Sequence, residues 1–192
     1  MLRALCLDLM GTVLYDPYLE AIAAGTGRPA TPGGLADPSS WPDFEMARID
    51  EAEFLRRCWP DAGGRPFDAA AFHAARRDGY RFLPGMQELL HAVGGRLDRY
   101  IASNYPVWIE EVRLAFALDE CCEGVWASHH LGVRKPDPEF YLRLLARIGH
   151  RAESCLFVDD RASNCAGAEA VGMRAHLFDG AEGLARRLRV GP

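Results

Sequence analysis

Five short apolar runs recur along this chain, at residues 5–9, 100–103, 125–128, 155–159 and 175–178. From residue 84 onward they alternate with stretches of helical period, at 84–93, 107–118, 138–148, 163–171 and 181–190. Apolar runs of this length between helices are what a parallel sheet covered on both faces requires, and right-handed crossovers leave few ways to connect it. A three-layer α/β domain is expected.

One connection departs from that rhythm. Between residues 14 and 83 no run reads as a strand; there are helical pieces and a loop at 25–42 rich in Gly, Pro and Ser. Asp50 and Glu53 have capping-box spacing ahead of Phe54 and Leu55, so a helix is predicted to begin at Glu51. Residues 67–77 read as another. An insertion directly after the first strand sits above the carboxyl ends of the sheet, where a lid acts. The expected division is a core of residues 1–14 and 84–192 and a helical cap of residues 15–83.

Composition narrows the class. With 192 residues, 49% of them hydrophobic and 26% charged, the chain can bury a core without disulfides. A net charge of −5 argues against nucleic acid or an anionic membrane as partner. No apolar run approaches the roughly 20 residues that span a bilayer, and Asp8 interrupts the apolar N-terminal stretch, so no secretory leader is expected. Cys6, Cys58, Cys121, Cys122, Cys155 and Cys165 lack CxxC or zinc-type spacing. Those at 6, 155 and 165 fall in runs read as buried. Reduced core thiols in a cytoplasmic protein are the expectation.

The chemistry-bearing residues fall at strand tips. The first run, within ALCLDLMGTV, delivers Asp8 to its carboxyl end. The second ends YIASN, placing Ser103 and Asn104 at its edge; the third is followed by GVRKPDP, which holds Lys135. The fourth ends CLFVDD, placing Asp159 and Asp160 at its tip, with Asn164 one helical turn on. In a doubly wound sheet the tips around the switch point converge on one crevice. Lys135 is the single lysine among 22 basic residues, all the others being arginine. A compact ammonium on a flexible stem does what a planar fork cannot. Gly11 permits a sharp exit from the first strand, and Thr12 is placed to hydrogen-bond and orient the Asp8 carboxylate.

With DLMGT from Asp8, SN at Ser103, KPDP from Lys135 and DDRASN from Asp159, in that order, the chain resembles the haloacid dehalogenase-like hydrolases over essentially its whole length. Its insertion resembles the small cap of the subgroup that includes sugar-phosphate phosphatases and the phosphatase domain of soluble epoxide hydrolase. The resemblance implies a Rossmann-like, five-stranded parallel sheet in the order 3-2-1-4-5, with the helical cap inserted after strand 1. It implies that Asp8 attacks phosphorus to form an aspartyl-phosphate. Ser103, Asn104 and Lys135, with Gly11 and Thr12 beside them, would hold the phosphoryl group. Asp8, the Met10 backbone carbonyl, Asp159, Asp160 and Asn164 would make a Mg²⁺ site, Asp160 in direct contact. A carboxylate approaches a phosphate dianion only when charge is cancelled, which calls for a divalent cation and an ammonium. Mg²⁺ takes one or two carboxylates among oxygen ligands, and Asp8 with Asp160 meets that count. The expected substrate is a small phosphorylated metabolite, and the expected assembly is a monomer or homodimer.

Met10 departs from the pattern. Most phosphatases of the family carry a second Asp two residues after the nucleophile, which protonates the leaving group and then activates water. A thioether does neither. Losing such a group costs about 10²–10⁴-fold, roughly 3–5 kcal/mol of barrier. A substrate whose leaving group needs no proton, such as an acyl phosphate or an anomeric sugar phosphate, would suffer least. Two other readings stay open: a phosphate-ligand or partner-binding module that has lost turnover, and a haloacid dehalogenase, which would have Tyr at position 10 and no use for the acidic pair. A phosphonoacetaldehyde hydrolase is excluded, since it needs a cap lysine and none lies between residues 14 and 83.

Other residues invite attention. His129 and His130 read as solvated loop residues rather than metal ligands. Trp41, Phe44, Phe54 and Trp59 are expected to form the cap's own small core, a place in the pocket being the lesser reading for one or two of them. Arg48, Arg56 and Arg57 read as a solvated helix face. Tyr15 and Asp16, just past the nucleophile strand, are better placed to touch substrate, while the directions of Arg134 and Arg161 are not fixed by sequence.

Overall fold

Alternate residues of the central strands enter different cores. Leu5, Leu7, Ile101, Leu156 and Val158 pack into one cluster, while Ala4, Cys6, Tyr100, Ala102, Cys155 and Phe157 pack into another. Such a period-two division, apolar on both sides, is what a sheet sandwiched between helices demands. The structure is a computed structural model that describes residues 1–31, 35–59 and 66–189. Its strands are β1 (Ala4–Leu7), β2 (Leu14–Tyr15), β3 (Arg81–Phe82), β4 (Asp98–Ser103), β5 (Gly124–Ala127), β6 (Cys155–Asp159) and β7 (Arg174–Leu177). Five form a parallel sheet in the order β5-β4-β1-β6-β7, which is the expected 3-2-1-4-5. The direction of winding reverses between β1 and β6, and there the strand tips open a crevice.

The helices are α1 (Tyr18–Thr26), α2 (Ser40–Glu45), α3 (Glu51–Cys58), α4 (Ala69–Gly79), α5 (Met86–Val93), α6 (Ile109–Ala115), α7 (Leu118–Cys121), α8 (Ser128–Leu131), α9 (Pro138–Ile148), α10 (Ala162–Ala170) and α11 (Ala181–Leu188). Phe140, Tyr141 and Leu144 of α9 and Ala168 of α10 cover one face of the sheet. Met86, Leu89 and Leu90 of α5, Ile109 and Val112 of α6 and Leu184 of α11 cover the other.

Helices α1 to α4 lie between β2 and β3. As predicted, α3 starts at Glu51, and the Asp50 side chain accepts from the Glu53 N–H at 2.8 Å. The helix predicted from residue 67 starts at Ala69, because Asp68 caps it by accepting from the Ala71 N–H at 2.9 Å. Local sequence misleads at several other points. β2 and β3 pair antiparallel across the insertion where no strand is expected, and strands of two residues carry no alternation to read. The loop expected at 25–42 is helical at both ends, Gly25 lying in α1 and Ser40 opening α2; its residues 32–34 lie outside the described residues. The helix expected at 107–118 breaks at Ala117, whose φ of 47° starts α7 afresh. The last helix ends at Leu188, and residue 190 lies outside the described residues.

The inserted aromatics do not form a core of their own. Phe44 stacks on Phe54 with centroids 4.7 Å apart, and Trp41, Phe44, Phe54 and Phe72 all meet Trp108, which adjoins α6. One apolar cluster therefore runs from the insertion into the sheet. Polar bonds cross the same boundary: Trp108 Nε1 donates to Glu51 at 2.6 Å, and Arg76 and Arg77 both bond Glu111. All six cysteines are buried free thiols. Among the described residues no helix is long and apolar enough to cross a membrane.

Candidate active site

Asp8 follows β1 directly, and its N–H bonds the Val158 carbonyl at 2.8 Å, which keeps the strand in register with β6 past its last ladder residue. The register Leu7↔Val158 brings Asp8 beside Asp159. Two carboxylates this close need a cation between them, and Lys135 is that cation. Its Nζ donates to Asp8 Oδ1 at 2.7 Å, to Asp159 Oδ2 at 2.7 Å and to the Ala102 carbonyl at 2.8 Å. An ammonium has three donors, and all three are satisfied. Lys135 is 2% exposed, with the Phe157 and Phe140 rings 5.3 and 5.9 Å from its nitrogen. Burial pulls the ammonium's pKa down, but the Asp8 and Asp159 carboxylates outweigh it and hold it above its ordinary value. Burial pushes the Asp8 carboxyl up to about 6, against the pull of Lys135 and with a further push from Asp159 and Asp160.

The acidic pair divides its work. Asp159 is fully buried, and its oxygens accept from the Arg161 N–H at 2.9 Å, from Lys135, and from Asn164 Nδ2 at 2.9 and 3.0 Å. Asp160 is exposed and faces the cavity. A Cβ on Gly11 would lie 2.7 Å from Asp160 Oδ2, so this carboxylate rests against the turn after the first strand. One oxygen from each of Asp8, Asp159 and Asp160 lies within 4.8 Å of the others. The turn adds a further acceptor. Gly11 N–H bonds the Leu14 carbonyl at 2.7 Å and Leu14 N–H bonds that of Leu9 at 2.8 Å, leaving the Met10 carbonyl with no donor among the described residues. A cluster of hard oxygens beside one buried ammonium suits Mg²⁺ better than a softer metal.

The remaining residues at this corner are not equivalent. Ser103 Oγ donates to Asp8 Oδ1 at 3.2 Å and lines the cavity. Asn104 commits both ends of its amide to Lys135: Nδ2 donates to the Lys135 carbonyl at 2.9 Å, and Oδ1 accepts the Lys135 N–H at 2.8 Å. Its side chain is a brace for Lys135. Thr12 does not orient Asp8: its hydroxyl is buried without a partner among the described residues, because the turn encloses it. Gly11, with φ of 85°, takes the backbone through a region that side chains rarely adopt.

Above these groups opens a cavity of about 560 Å³. Asp8, Ser103, Lys135 and Asp160 lie at its floor, and Tyr18, Leu19, Ile22, Leu35 and Trp41 line it from the insertion. Asp16, Arg134 and Arg161 also line it. Sequence reading missed Glu45, a fully buried carboxylate on α2 that lines the cavity and pairs with Arg134. Its oxygens have no aligned hydrogen bond, and burial pushes its carboxyl up to about 7 against the pull of Arg134. An isolated acid between apolar residues was the only signal for it. Arg56 and Arg57 pair with Glu53, and Arg48 with Asp43, away from the cavity. His130 is not a solvated loop residue: in α8 its Nδ1 accepts the Ala127 N–H at 3.0 Å and its Nε2 meets Glu110 at 2.6 Å.

The chain is similar to several known proteins. A flavin mononucleotide hydrolase of Arabidopsis thaliana is 34% identical over 97% of this chain and 76% of its own length. A sesquiterpene phosphatase of Aspergillus oryzae is 29% identical over 77% of this chain and 76% of its own. A HAD family enzyme of Bacteroides thetaiotaomicron, solved in complex with magnesium and inorganic phosphate, superposes with a TM-score of 0.73 over 92% of this chain and 93% of that one, at 18% identity. The profile of the haloacid dehalogenase-like hydrolases matches residues 2–172, and the chain belongs to that family.

Proposed function

We propose that this hydrolase is a Mg²⁺-dependent phosphatase that transfers a phosphoryl group from a small organic phosphate to Asp8 and then to water. The observation that carries the reading is the placement of Asp8: a buried carboxylate at the floor of an open cavity, hydrogen-bonded by Lys135 and Ser103, with a second carboxylate, Asp160, beside it and facing the same space. Asp8, Asp160 and the Met10 carbonyl would hold the metal. Asp159, bound to Lys135, Arg161 and Asn164, would keep its neighbours in place. When bound, Mg²⁺ supplies the positive charge that lets a phosphate dianion approach carboxylates. Ser103 would meet the phosphoryl oxygens, as would Lys135 once one of its donors turns from Asp8 to them, and Asp8 would attack phosphorus in line with the departing ester oxygen.

Residues 15–83 act in this reading as the cap that selects the body of the substrate. The cavity is large enough for a ligand well beyond a three-carbon phosphate, and Tyr18, Leu19, Ile22, Leu35 and Trp41 give its upper wall an apolar, aromatic character. A flavin mononucleotide hydrolase and a sesquiterpene phosphatase among the relatives suit the same class, a single phosphate on a bulky ring or hydrocarbon body. The substrate class proposed is therefore a phosphomonoester with a large, weakly polar body.

The test is release of inorganic phosphate, with and without Mg²⁺, from flavin mononucleotide, farnesyl phosphate and glycerol phosphate, with Asp8→Asn as control. Mg²⁺-dependent turnover of either bulky ester, absent in the variant, is expected, with glycerol phosphate slower. Failure of any donor to phosphorylate the metal-loaded protein would overturn the reading.

A further inference from the structure

Met10 lines the cavity beside Asp8, and its thioether can neither give nor take a proton. An alkoxide leaving group still requires one. Most ionisable groups facing the cavity are committed elsewhere: Lys135 to its three acceptors, Glu45 to Arg134, Asp160 to the proposed metal site. Asp16 is not. It follows β2, and the bridge between Leu14 and Met10 ties the base of that strand to the turn after Asp8. The chain thus rises from the nucleophile and presents Asp16 to the same cavity two residues beyond the bridge. One of its oxygens accepts the Tyr18 N–H at 3.1 Å; among the described residues no other hydrogen bond reaches its carboxylate, and none joins it to Asp8. Asp8, Glu20 and Arg161 are the charged groups around it; the side chain is exposed to water, yet partial desolvation by the surrounding protein, with the Asp8 and Glu20 charges, pushes the carboxyl up to about 6. A proton donor that also serves as a base works best when it titrates near the operating pH.

We propose that Asp16 is the proton donor and acceptor of the reaction, taking the place of the carboxylate that Met10 lacks. The proposal rests on the phosphoryl-transfer reading above. As an Asp8 oxygen bonds to phosphorus, the bond from phosphorus to the ester oxygen breaks with its electron pair on that oxygen. The Asp16 carboxyl proton moves to it, releasing a neutral alcohol and leaving Asp16 ionised. A water then attacks the phosphorus held on Asp8 and gives its proton to Asp16. The bond from phosphorus to the Asp8 oxygen breaks, and inorganic phosphate departs with both side chains restored. An ordinary alkyl ester is then an acceptable substrate in spite of Met10.

Asp16→Asn keeps an acceptor for the Tyr18 N–H while removing the proton. The informative pair of probes is p-nitrophenyl phosphate, whose leaving group departs without a proton, and benzyl phosphate, whose leaving group does not. On the Mg²⁺-loaded protein, kcat/KM for benzyl phosphate is expected to fall about 10²–10⁴-fold in the variant, with little change for p-nitrophenyl phosphate. Because water activation is impaired too, the variant should release one equivalent of p-nitrophenol in a burst and accumulate the phosphoenzyme. Equal losses of kcat/KM on both probes, or none on either, would overturn the role of Asp16, as would a wild-type protein that accepts p-nitrophenyl phosphate and refuses benzyl phosphate. A wild-type protein that forms no phosphoenzyme from either would bring down the phosphatase reading itself.

Discussion

Asn104 grips the Lys135 backbone on both sides of its Cα, its Nδ2 donating to the Lys135 carbonyl at 2.9 Å and its Oδ1 accepting the Lys135 N–H at 2.8 Å. The single lysine of the chain is thereby fixed at its backbone by β4's tip and at its ammonium by Asp8, Asp159 and the Ala102 carbonyl. Replacing Asn104 by Ala removes two partly buried hydrogen bonds and is expected to lower stability by about 1–3 kcal/mol. Activity should drop on the order of 10²-fold through misplacement of the ammonium. Denaturant melts and steady-state kinetics check both, and unaltered kinetics would show that Lys135 holds its place without Asn104.

Lys135 offsets two carboxylates that are themselves enclosed. Lys135→Met leaves Asp8 and Asp159 without their counter-charge, and breaking a buried pair of this kind costs about 3–5 kcal/mol. Lys135→Arg should not restore activity, because a planar fork cannot address three acceptors converging on one nitrogen. Chemical denaturation of the three proteins, with phosphatase assays, gives the comparison. Full activity in the arginine variant would contradict this geometry.

Mg²⁺ should stabilise the wild-type protein, by about 2.7 kcal/mol at a hundred times Kd. Asp160→Asn should lose most of that gain, while EDTA should abolish turnover in the wild type. Gly11→Ala should mimic the loss: its φ of 85° strains any side chain, and the added carbon meets the Asp160 carboxylate at 2.7 Å. Thermal shift with and without Mg²⁺ measures the wild type and the two variants, phosphate release measures the EDTA effect, and an unchanged shift in Asp160→Asn would remove Asp160 from the metal site.

Glu45 joins α2 to Arg134 across the cavity, and its folded carboxyl titrates near 7 because burial disfavours its charge. A carboxyl raised in the folded state binds more protons there than in the unfolded chain. Its contribution to stability is therefore favourable at low pH and declines as pH rises from about 4.5 to about 7. Glu45→Gln should flatten that part of the profile. Unfolding free energies of both proteins between pH 5 and 8 test the sign. A profile of equal slope in the variant would mean that Glu45 does not titrate there.

The sheet was legible because its signal is local and repeated. Residues 155–159 are one continuous apolar run in sequence and one strand in the structure, and 138–148 form a helix with the expected bounds. The acids and the lysine at the strand tips were legible for a related reason: in this fold a strand's carboxyl end lies at the crevice whatever surrounds it. Direction was not legible. Ser103 and Asn104 are adjacent letters, yet one hydroxyl faces Asp8 and the neighbouring amide braces Lys135. Asp159 and Asp160 likewise part in space, the first enclosed among donors and the second open to the cavity.

Sequence alone determined the five strands of the main sheet, the order of the motif residues along them and the identity of the nucleophile candidate, since periodicity and strand polarity depend on neighbours in the chain. Only the tertiary structure decided that the inserted aromatics share the sheet's core through Trp108, that Thr12 leaves Asp8 unattended, and that Glu45 and Asp16 face the cavity. Those outcomes depend on which surfaces meet when residues tens of positions apart are packed, and packing has no period to be read in advance.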